Sequence, residues 1–415
     1  MRALVLRADW DPRPEYELSQ WEKRTGKAVT GSSVWRNPRL QVEEVPTPVL
    51  EPEEVLVRVS ACGVCGSDVH FYETDADGYM LYPGLTRFPS VIGHEFSGVV
   101  ADRGAAVSDL EVGDLVTAEE MIWCGHCVPC RNGFPNQCRN LEEIGFTIDG
   151  AAAEYIAIGA KYCWKLSSVA ERLGDQGRAL ELGAMTEPAS VAYNAIFEVA
   201  GGFRPGQYVA VFGAGPIGLA SIALARAAGA GRIVAFEVSP VRRELALRVG
   251  ADLAYDPAQV RPSQVLMEHS GGEGFDFMVE AAGAPQHTVP EMEQALAIGA
   301  KVVQIGRAAT RVPMYLEQLQ VRKAKVFGAQ GHSGYGNFPN VIRLMASGRL
   351  DLSPIITSRF RLDEGVAAIQ QATRREDGKI LITVGERREG VEETGVEEGR
   401  GCQAMRGSGQ GGGEE

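Results

Sequence analysis

The chain has no run approaching the ~18 consecutive apolar residues of a membrane span, so no spanning helix is expected anywhere in its 415 residues. Positive charge is short as well: 41 Lys and Arg against 54 Asp and Glu leave a formal net charge of −13. Nucleic acid and anionic membrane surfaces recruit basic faces, so neither is an expected partner. The opening Met1-Arg2-Ala3-Leu4-Val5 lacks the apolar core and cleavage site of a secretory signal and reads as a first strand, which makes the cytoplasm the expected location. Cysteine is sparse and unevenly placed. Of eight, six fall in two tight groups with metal-ligand spacing, while Cys163 and Cys402 stand alone. In a reducing compartment such groups bind metal more often than they oxidise.

What is present is the material of a globular protein, with 45% hydrophobic residues. Its length exceeds what one core usually serves, so two domains are expected.

The first cysteine group sits in Cys65-Gly66-Ser67-Asp68-Val69-His70, with Gly93-His94-Glu95 downstream. Cys65 and His94 offer a thiolate and an imidazole, which zinc prefers. A catalytic zinc takes three protein ligands and keeps one position for water or substrate. Glu95, or Glu187 in Thr186-Glu187-Pro188, can supply the carboxylate. Ser67 and His70 lie within a few residues of the thiolate and can carry a proton to or from a metal-bound oxygen. Asp68 is a natural acceptor for a ligating imidazole. A lone cysteine or histidine would read as an interior residue, but four polar groups of these kinds around one cysteine do not. Cys62 reads as a small hydrophobe packed beside Cys65.

The second group, Cys124, Cys127, Cys130 and Cys138, has the spacing Cx2Cx2Cx7C. Four thiolates in one short loop close a tetrahedral site with no open position, the mark of a structural zinc. An iron–sulfur ligand run is the rival, and a disulfide pair is a more distant third. His126 reads as an exposed loop residue rather than a ligand.

Along the chain, residues 1–8, 40–45, 54–59, 98–101 and 114–117 read as strands, so the first part is strand-dominated with the metal on its loops. Residues 9–38, with Trp10, Trp21 and Trp35 among charges and prolines, read as an irregular insertion whose aromatics pack on the domain or on a neighbouring subunit. Helical periodicity over 183–200 leads into a second domain. There the strand Tyr208–Phe212 runs into Gly213-Ala214-Gly215-Pro216-Ile217-Gly218 and then an apolar helix, 219–228. A lone GxGxxG is weak evidence; between a strand and a helix, with the next strand at 233–237, it is strong. Gly213 permits the tight turn, Gly215 lets the backbone approach a pyrophosphate, and Gly218 lets helix meet strand. The helix N-terminus presents N–H groups and positive dipole to phosphate.

Glu237 ends the second strand, where a carboxylate accepts from the ribose hydroxyls of NAD and repels the 2′-phosphate of NADP; Arg242 and Arg243 nearby would favour that phosphate unless they belong to a solvated helix face. Strands over 275–280, 301–306 and 325–328 continue a βα alternation, which means a parallel, doubly wound sheet. The boundaries expected are 1–190 for the first part of a catalytic zinc domain, 191–330 for the dinucleotide domain, and 331–385 for a return to the catalytic domain. A helix over 338–346 and a strand over 379–384 belong to the return, and the Gly- and Glu-rich stretch 386–415 reads as a disordered tail.

Together these motifs resemble the zinc-dependent medium-chain alcohol and polyol dehydrogenases, the group with sorbitol and threonine dehydrogenases, over nearly the whole of 1–384. Four stretches, 10–15, 78–85, 118–127 and 331–334, are most similar to the keto-inositol branch. The resemblance implies an α/β protein: a β-rich GroES-like catalytic domain plus a doubly wound Rossmann domain. It implies two zinc ions per chain, NAD, and a homo-oligomer, tetramer or dimer. By it, Cys65 and His94 bind the catalytic zinc with Glu95 or Glu187, Asp68 orients His94, and Ser67, the cofactor ribose and His70 relay the proton. Where classical alcohol dehydrogenases place a cysteine near the position of Glu187, this chain carries oxygen, which suits a polyol or hydroxy-ketone. Glu119, Glu120, Thr147, Asp149, Gln330, His332 and Ser333 are the polar candidates for the cleft. An inositol or inosose is the expected substrate, with sorbitol-like polyols and threonine behind it. A zinc-lobed interaction module would not explain the glycine motif with Glu237, and a metal-free quinone reductase has no use for Cys65, His94 and Glu95.

Overall fold

In the computed structural model, residues 1–308 and 311–385 are described; the expected tail from 386, with Cys402, lies outside the described residues. Strand Glu54–Gly63 buries Val55, Val57 and Val59 on one face of its pleat before a bulge between Val59 and Ala61. It is the hub of a seven-stranded sheet. One edge pairs antiparallel with Glu95–Arg103. The other edge is shared: residues 54–58 pair with Tyr155–Gly159, and 61–63 with the late strand Lys379–Thr383. Ile356–Arg361 joins that late strand in parallel. Residues 356–383 are thus woven into the sheet beside Cys65 and His94.

The insertion is more regular than its composition predicts. Strands Arg2–Trp10 and Trp35–Glu44 pair antiparallel as far as Trp10 opposite Trp35, with a bulge between Arg7 and Asp9. The two indoles meet edge to face at 4.9 Å, and Trp35 meets Phe88 at 5.3 Å. Aromatic burial overrides the prolines and charges and lengthens both strands. Inside the insertion lie short helices Gln20–Thr25 and Gly31–Val34. Trp10 and Trp35 pack inward, whereas Trp21 remains 38% exposed.

The helical stretch before the second sheet is broken into Gln176–Ala184, Thr186–Tyr193 and a π turn, Asn194–Val199. The second sheet is wholly parallel, with strands in the order 253–255, 232–236, 208–212, 275–280, 296–304 and 325–328. Apolar clusters cover both of its faces, as parallel sheets require. Strand order reverses between Tyr208–Phe212 and Phe275–Glu280, and a doubly wound sheet opens a ligand crevice at such a point. Strand Leu253–Tyr255 is too short to show periodicity, and Ile356–Arg361 alternates but is preceded only by a 3-10 turn; neither is foreseen from sequence.

The helix Gln20–Thr25 is anchored by one buried carboxylate. Glu22 accepts from Ser19 N and Ser19 Oγ at 2.8 Å, Tyr16 OH at 2.9 Å and Val29 N at 3.0 Å. Glu22→Gln keeps the volume but loses acceptor capacity, so we expect a cost of about 1–3 kcal/mol. Urea unfolding should show a lower midpoint at unchanged slope.

Candidate active site and metal centres

Strand Glu54–Gly63 ends where Cys65 opens helix Gly66–Tyr72, and Cys65 N donates to Asp68 Oδ2 at 2.9 Å. Glu95 begins the neighbouring strand and His94 stands just before it, after Gly93, whose φ of +87° is left-handed and where a Cβ would stand 2.6 Å from Cys62 Sγ. Cys62 is buried, and burial pushes its thiol pKa up; it packs and does not ligate. Ligand atoms of Cys65, His94 and Glu95 lie within 4.8 Å of one another. Three observations fit a metal here: the sulfur, nitrogen and oxygen donor set, a Ser67 Oγ that is buried without a partner, and a His94 Nδ1 in the same condition. Asp68 Oδ1 stands 4.0 Å from His94 Nδ1, beyond hydrogen-bond length.

The two carboxylates considered for the metal belong to different clusters. Glu95 is gripped by Lys379, a fully buried lysine whose Nζ donates to Glu95 Oε1 at 2.6 Å and to Val64 O at 3.0 Å. Gly63 opposite has no room for a side chain, since a Cβ would sit 2.2 Å from Glu95 Oε2. Glu187, in the first turn of helix Thr186–Tyr193, groups instead with Glu120 and His332. His332 Nε2 lies 2.6 Å from Glu120 Oε2 and 3.4 Å from Glu187 Oε1. Burial raises the Glu187 pKa to about 7. Burial works against charge on His332, but Glu120 and Glu187 outweigh it and lift its pKa to about 9. Asn136, Asn194 and Asn337 pin the backbone of 331–333 around this histidine.

Several cleft candidates are committed elsewhere. Glu119 accepts the indole N–H groups of Trp123 and Trp164 at 3.2 and 3.1 Å. Asp149 accepts Val91 N at 3.0 Å, and Thr147 accepts Glu143 N at 2.8 Å. Glu119 is held by two indoles, while Asp149 and Thr147 accept backbone N–H groups of neighbouring segments. Ser333 is held by Asn136, while Gln330 reaches a surface cavity. Lys379 is missed by sequence reasoning; its only signal is a lysine opening an otherwise apolar strand.

Cys124, Cys127, Cys130 and Cys138 bring their sulfurs within 4.8 Å of one another, and none is paired in a disulfide. Cys127 Sγ and Cys138 Sγ are 3.8 Å apart. Zinc–sulfur bonds of ~2.3 Å in a tetrahedron imply an edge of about 3.8 Å, while a disulfide needs ~2.05 Å. A multi-iron cluster interposed among the sulfurs would hold them farther apart. Backbone N–H groups of Cys124 and Asn140 point at Cys138 Sγ, each at 3.3 Å, as a thiolate requires. His126 Nδ1 sits on Cys124 O, outside the sulfur set.

At the switch point of the parallel sheet lies a cavity of about 600 Å³ lined by Gly213, Gly215, Glu237 and Arg242 among others. Gly213 has φ +91°, and a Cβ on it would meet the Ala282 backbone at 2.7 Å; one on Gly218 would strike Gly213 O at 1.9 Å. A Cβ on Gly215 would find nothing nearer than 3.8 Å, so its face is open to a ligand. Pro216 opens helix Pro216–Ala227 and Ile217 follows it, half-buried. Glu237 accepts Ala214 N at 2.7 Å and Ser239 N at 2.9 Å. Arg242 donates to Asp377 O, and Arg243 to the carbonyls of Glu237 and Val238. The buried Glu280, missed from sequence, accepts Gln304 Nε2 at 2.6 Å and shapes the loop 281–284 under the crevice. Arg242 also lines an adjoining space of about 220 Å³ with Cys65, His70 and Pro216, which links the crevice to the metal ligands. Burial lowers the His70 pKa, and no hydrogen bond joins it to Ser67 among the described residues.

Comparison with known proteins agrees with this geometry. Residues 51–168 match the alcohol dehydrogenase GroES-like domain, and residues 216–347 match the zinc-binding dehydrogenase domain. The scyllo-inosose 3-dehydrogenase of Thermotoga maritima is 46% identical over 88% of this chain and 94% of its own length. The L-threonine 3-dehydrogenase of Pyrococcus abyssi is 33% identical over 82% of this chain and 94% of its own. A solved Thermotoga maritima structure described as an alcohol dehydrogenase superposes with a TM-score of 0.89 at 45% identity, covering 92% of this chain and 99% of that one.

Lys379→Met leaves the Glu95 carboxylate buried without its cation, so we expect a loss of about 3–5 kcal/mol in the metal-stripped protein. Chemical denaturation of Lys379→Met beside Glu95→Gln/Lys379→Met, which should recover part of the loss, measures it. Cys127→Ser should lower the Tm and the zinc content by one ion per chain, read by metal analysis.

Proposed function

The chain belongs to the zinc-binding dehydrogenases with a GroES-like alcohol dehydrogenase domain, and from that membership we propose that it interconverts a secondary alcohol of a cyclic polyol and its ketone, using NAD. The observation that carries the reading is the cleft's chemistry. A metal-type donor set, Cys65, His94 and Glu95, stands beside a second buried polar cluster, Glu120, Glu187 and His332. Glu120 and Glu187 each turn one oxygen to His332 and have a second that can accept from a substrate hydroxyl, which an apolar alcohol would not supply. The likeness to the scyllo-inosose enzyme supports a ring substrate.

Cys65 and His94 would hold the catalytic zinc, with Glu95 or Glu187 as carboxylate, and Cys124, Cys127, Cys130 and Cys138 a second, structural zinc. The catalytic ion supplies a Lewis acid that lowers the pKa of an alcohol. Bound NAD would supply the hydride acceptor for the carbinol carbon. Ser67 Oγ, buried and unpartnered, would take the hydroxyl proton and pass it by way of the cofactor ribose toward His70 at the mouth of the adjoining space. Burial keeps His70 neutral and ready as an acceptor. Asp68 faces the His94 ring at 4.0 Å and would orient it on closer approach. Gly213, Gly215 and Gly218, with Pro216 and Ile217 at the helix start, seat the pyrophosphate. Glu237 takes the ribose hydroxyls, and Arg242 and Arg243 are already engaged with carbonyls, which supports NAD over NADP.

We also read 1–190 and 331–385 as one domain around a dinucleotide domain of 191–330. A cytoplasmic homo-oligomer, dimer or tetramer, fits the reduced cysteines and the acidic surface. No helix among the described residues is long and apolar enough to cross a membrane.

Incubation with myo-inositol, scyllo-inosose plus NADH, sorbitol, threonine and ethanol, followed at the NADH band, tests the substrate. The ring compounds should give the highest kcat/KM; a clear win for threonine would move the protein to the activity of its 33% relatives. NADP outperforming NAD would show that Arg242 or Arg243 outweighs Glu237. Ser67→Ala should lower kcat by roughly 10²–10⁴ with NADH affinity unchanged, and unchanged turnover would remove Ser67 from the relay. Cys65→Ser should abolish turnover while leaving the fold intact.

A further inference from the structure

A cavity of about 610 Å³, separate from the dinucleotide crevice, opens between the insertion and the loop after the four-cysteine lobe; Trp21, Tyr82, Glu143, Arg307 and Gln330 are among its lining residues. It stands close to the metal ligands. The Tyr82 ring packs on Phe146 at 5.4 Å, and Phe146 packs on His94 at 4.8 Å.

Three features of its wall call for a ligand. Trp21 is 38% exposed, although the short helix carrying it is fixed by the buried Glu22 and its four donors. An indole held in solvent on a rigid frame offers apolar area and an electron-rich face that attracts C–H groups. Glu143, half-buried, has no hydrogen bond or ion pair for its carboxylate among the described residues. The Arg307 guanidinium lies over the Tyr82 ring at 4.8 Å and makes no salt bridge among the described residues, although its charge acts on Glu143. Lys27 is already paired with Glu142. One free acceptor, one free cation and a stacking face suit a neutral ring with hydroxyls on its rim and C–H bonds on its faces. A phosphorylated compound would meet Glu143 and Glu142 as like charges.

We propose that this cavity is the outer part of the substrate site: Trp21 stacks on the face of a saturated polyhydroxy ring, while Glu143 and Arg307 bind its rim hydroxyls. The proposal rests on the polyol reading above and makes the insertion a determinant of ring specificity.

The test uses the zinc-loaded full chain with myo-inositol as probe. In Trp21→Ala the KM for myo-inositol should rise roughly tenfold while kcat stays within about twofold, as expected when binding shared by ground and transition states is lost. Trp21→Phe should restore most of the affinity, and Glu143→Gln should also raise KM. The Tm and NADH affinity should not move in any variant. The wild type's change in tryptophan emission on adding myo-inositol should vanish in Trp21→Ala. An unchanged KM in both Trp21→Ala and Glu143→Gln overturns the proposal and leaves the polyol reading intact. A fall in kcat with a fall in Tm overturns it too, because that reports structural damage. Tighter binding of an inositol phosphate than of myo-inositol, lost in Arg307→Gln, replaces the neutral ring with an anionic one. If the wild type turns over threonine and no ring polyol, the polyol reading fails and this proposal falls with it.

Discussion

One buried ion pair, Lys379 with Glu95, ties an early strand and a late one to the chemistry. Glu95 stands beside His94 on a central strand, and Lys379 opens a strand that arrives 284 residues later. Neither charge can stay buried without the other, since the desolvation cost of each is several kcal/mol. The late strand therefore has to dock against Gly63 in one register, and that register closes the sheet around Cys65 and His94. The glycine at position 63 is part of the same constraint, because only a missing side chain leaves space for the Glu95 carboxylate.

The same logic repeats at Glu187. Its carboxylate and that of Glu120 converge on His332, a residue held in place by three asparagines. Glu95 thus has Lys379 to itself, while Glu120 and Glu187 share His332, and burial leaves Glu187 with a pKa raised to about 7. That arrangement keeps the cleft oxygen-rich, in accord with hydroxyl-bearing substrates, and leaves Ser67 as the unpartnered hydroxyl beside the thiolate.

The dinucleotide crevice obeys a different constraint, that of close backbone approach. Gly213 and Gly218 leave no space for a Cβ, and Gly215 turns an open face to the cavity. Glu237 is braced by two backbone N–H groups, so its carboxylate is positioned before any ribose arrives. Arg242 borders both the crevice and the space around Cys65, so cofactor and metal ligands meet at one side chain.

What the sequence by itself determined is everything whose cause is local. The strand–glycines–helix order announces the doubly wound sheet, because turn, phosphate seat and packing all fall within eleven residues, 208–218. The Cx2Cx2Cx7C loop brings four sulfurs together for the same reason, since short loops have few ways to fold. Alternation exposes the long strands, although it stops short at Trp10 and Trp35, whose pairing is a cross-strand contact that no local pattern reports. Tertiary structure alone decided the partners of buried charge. Lys379 reads as one more lysine, Glu95 and Glu187 read as equal candidates, and Glu119 and Asp149 read as cleft residues. Only the folded chain separates them, because the partner that stabilises a buried carboxylate is chosen by proximity in space, and in this protein that partner lies up to 284 residues away.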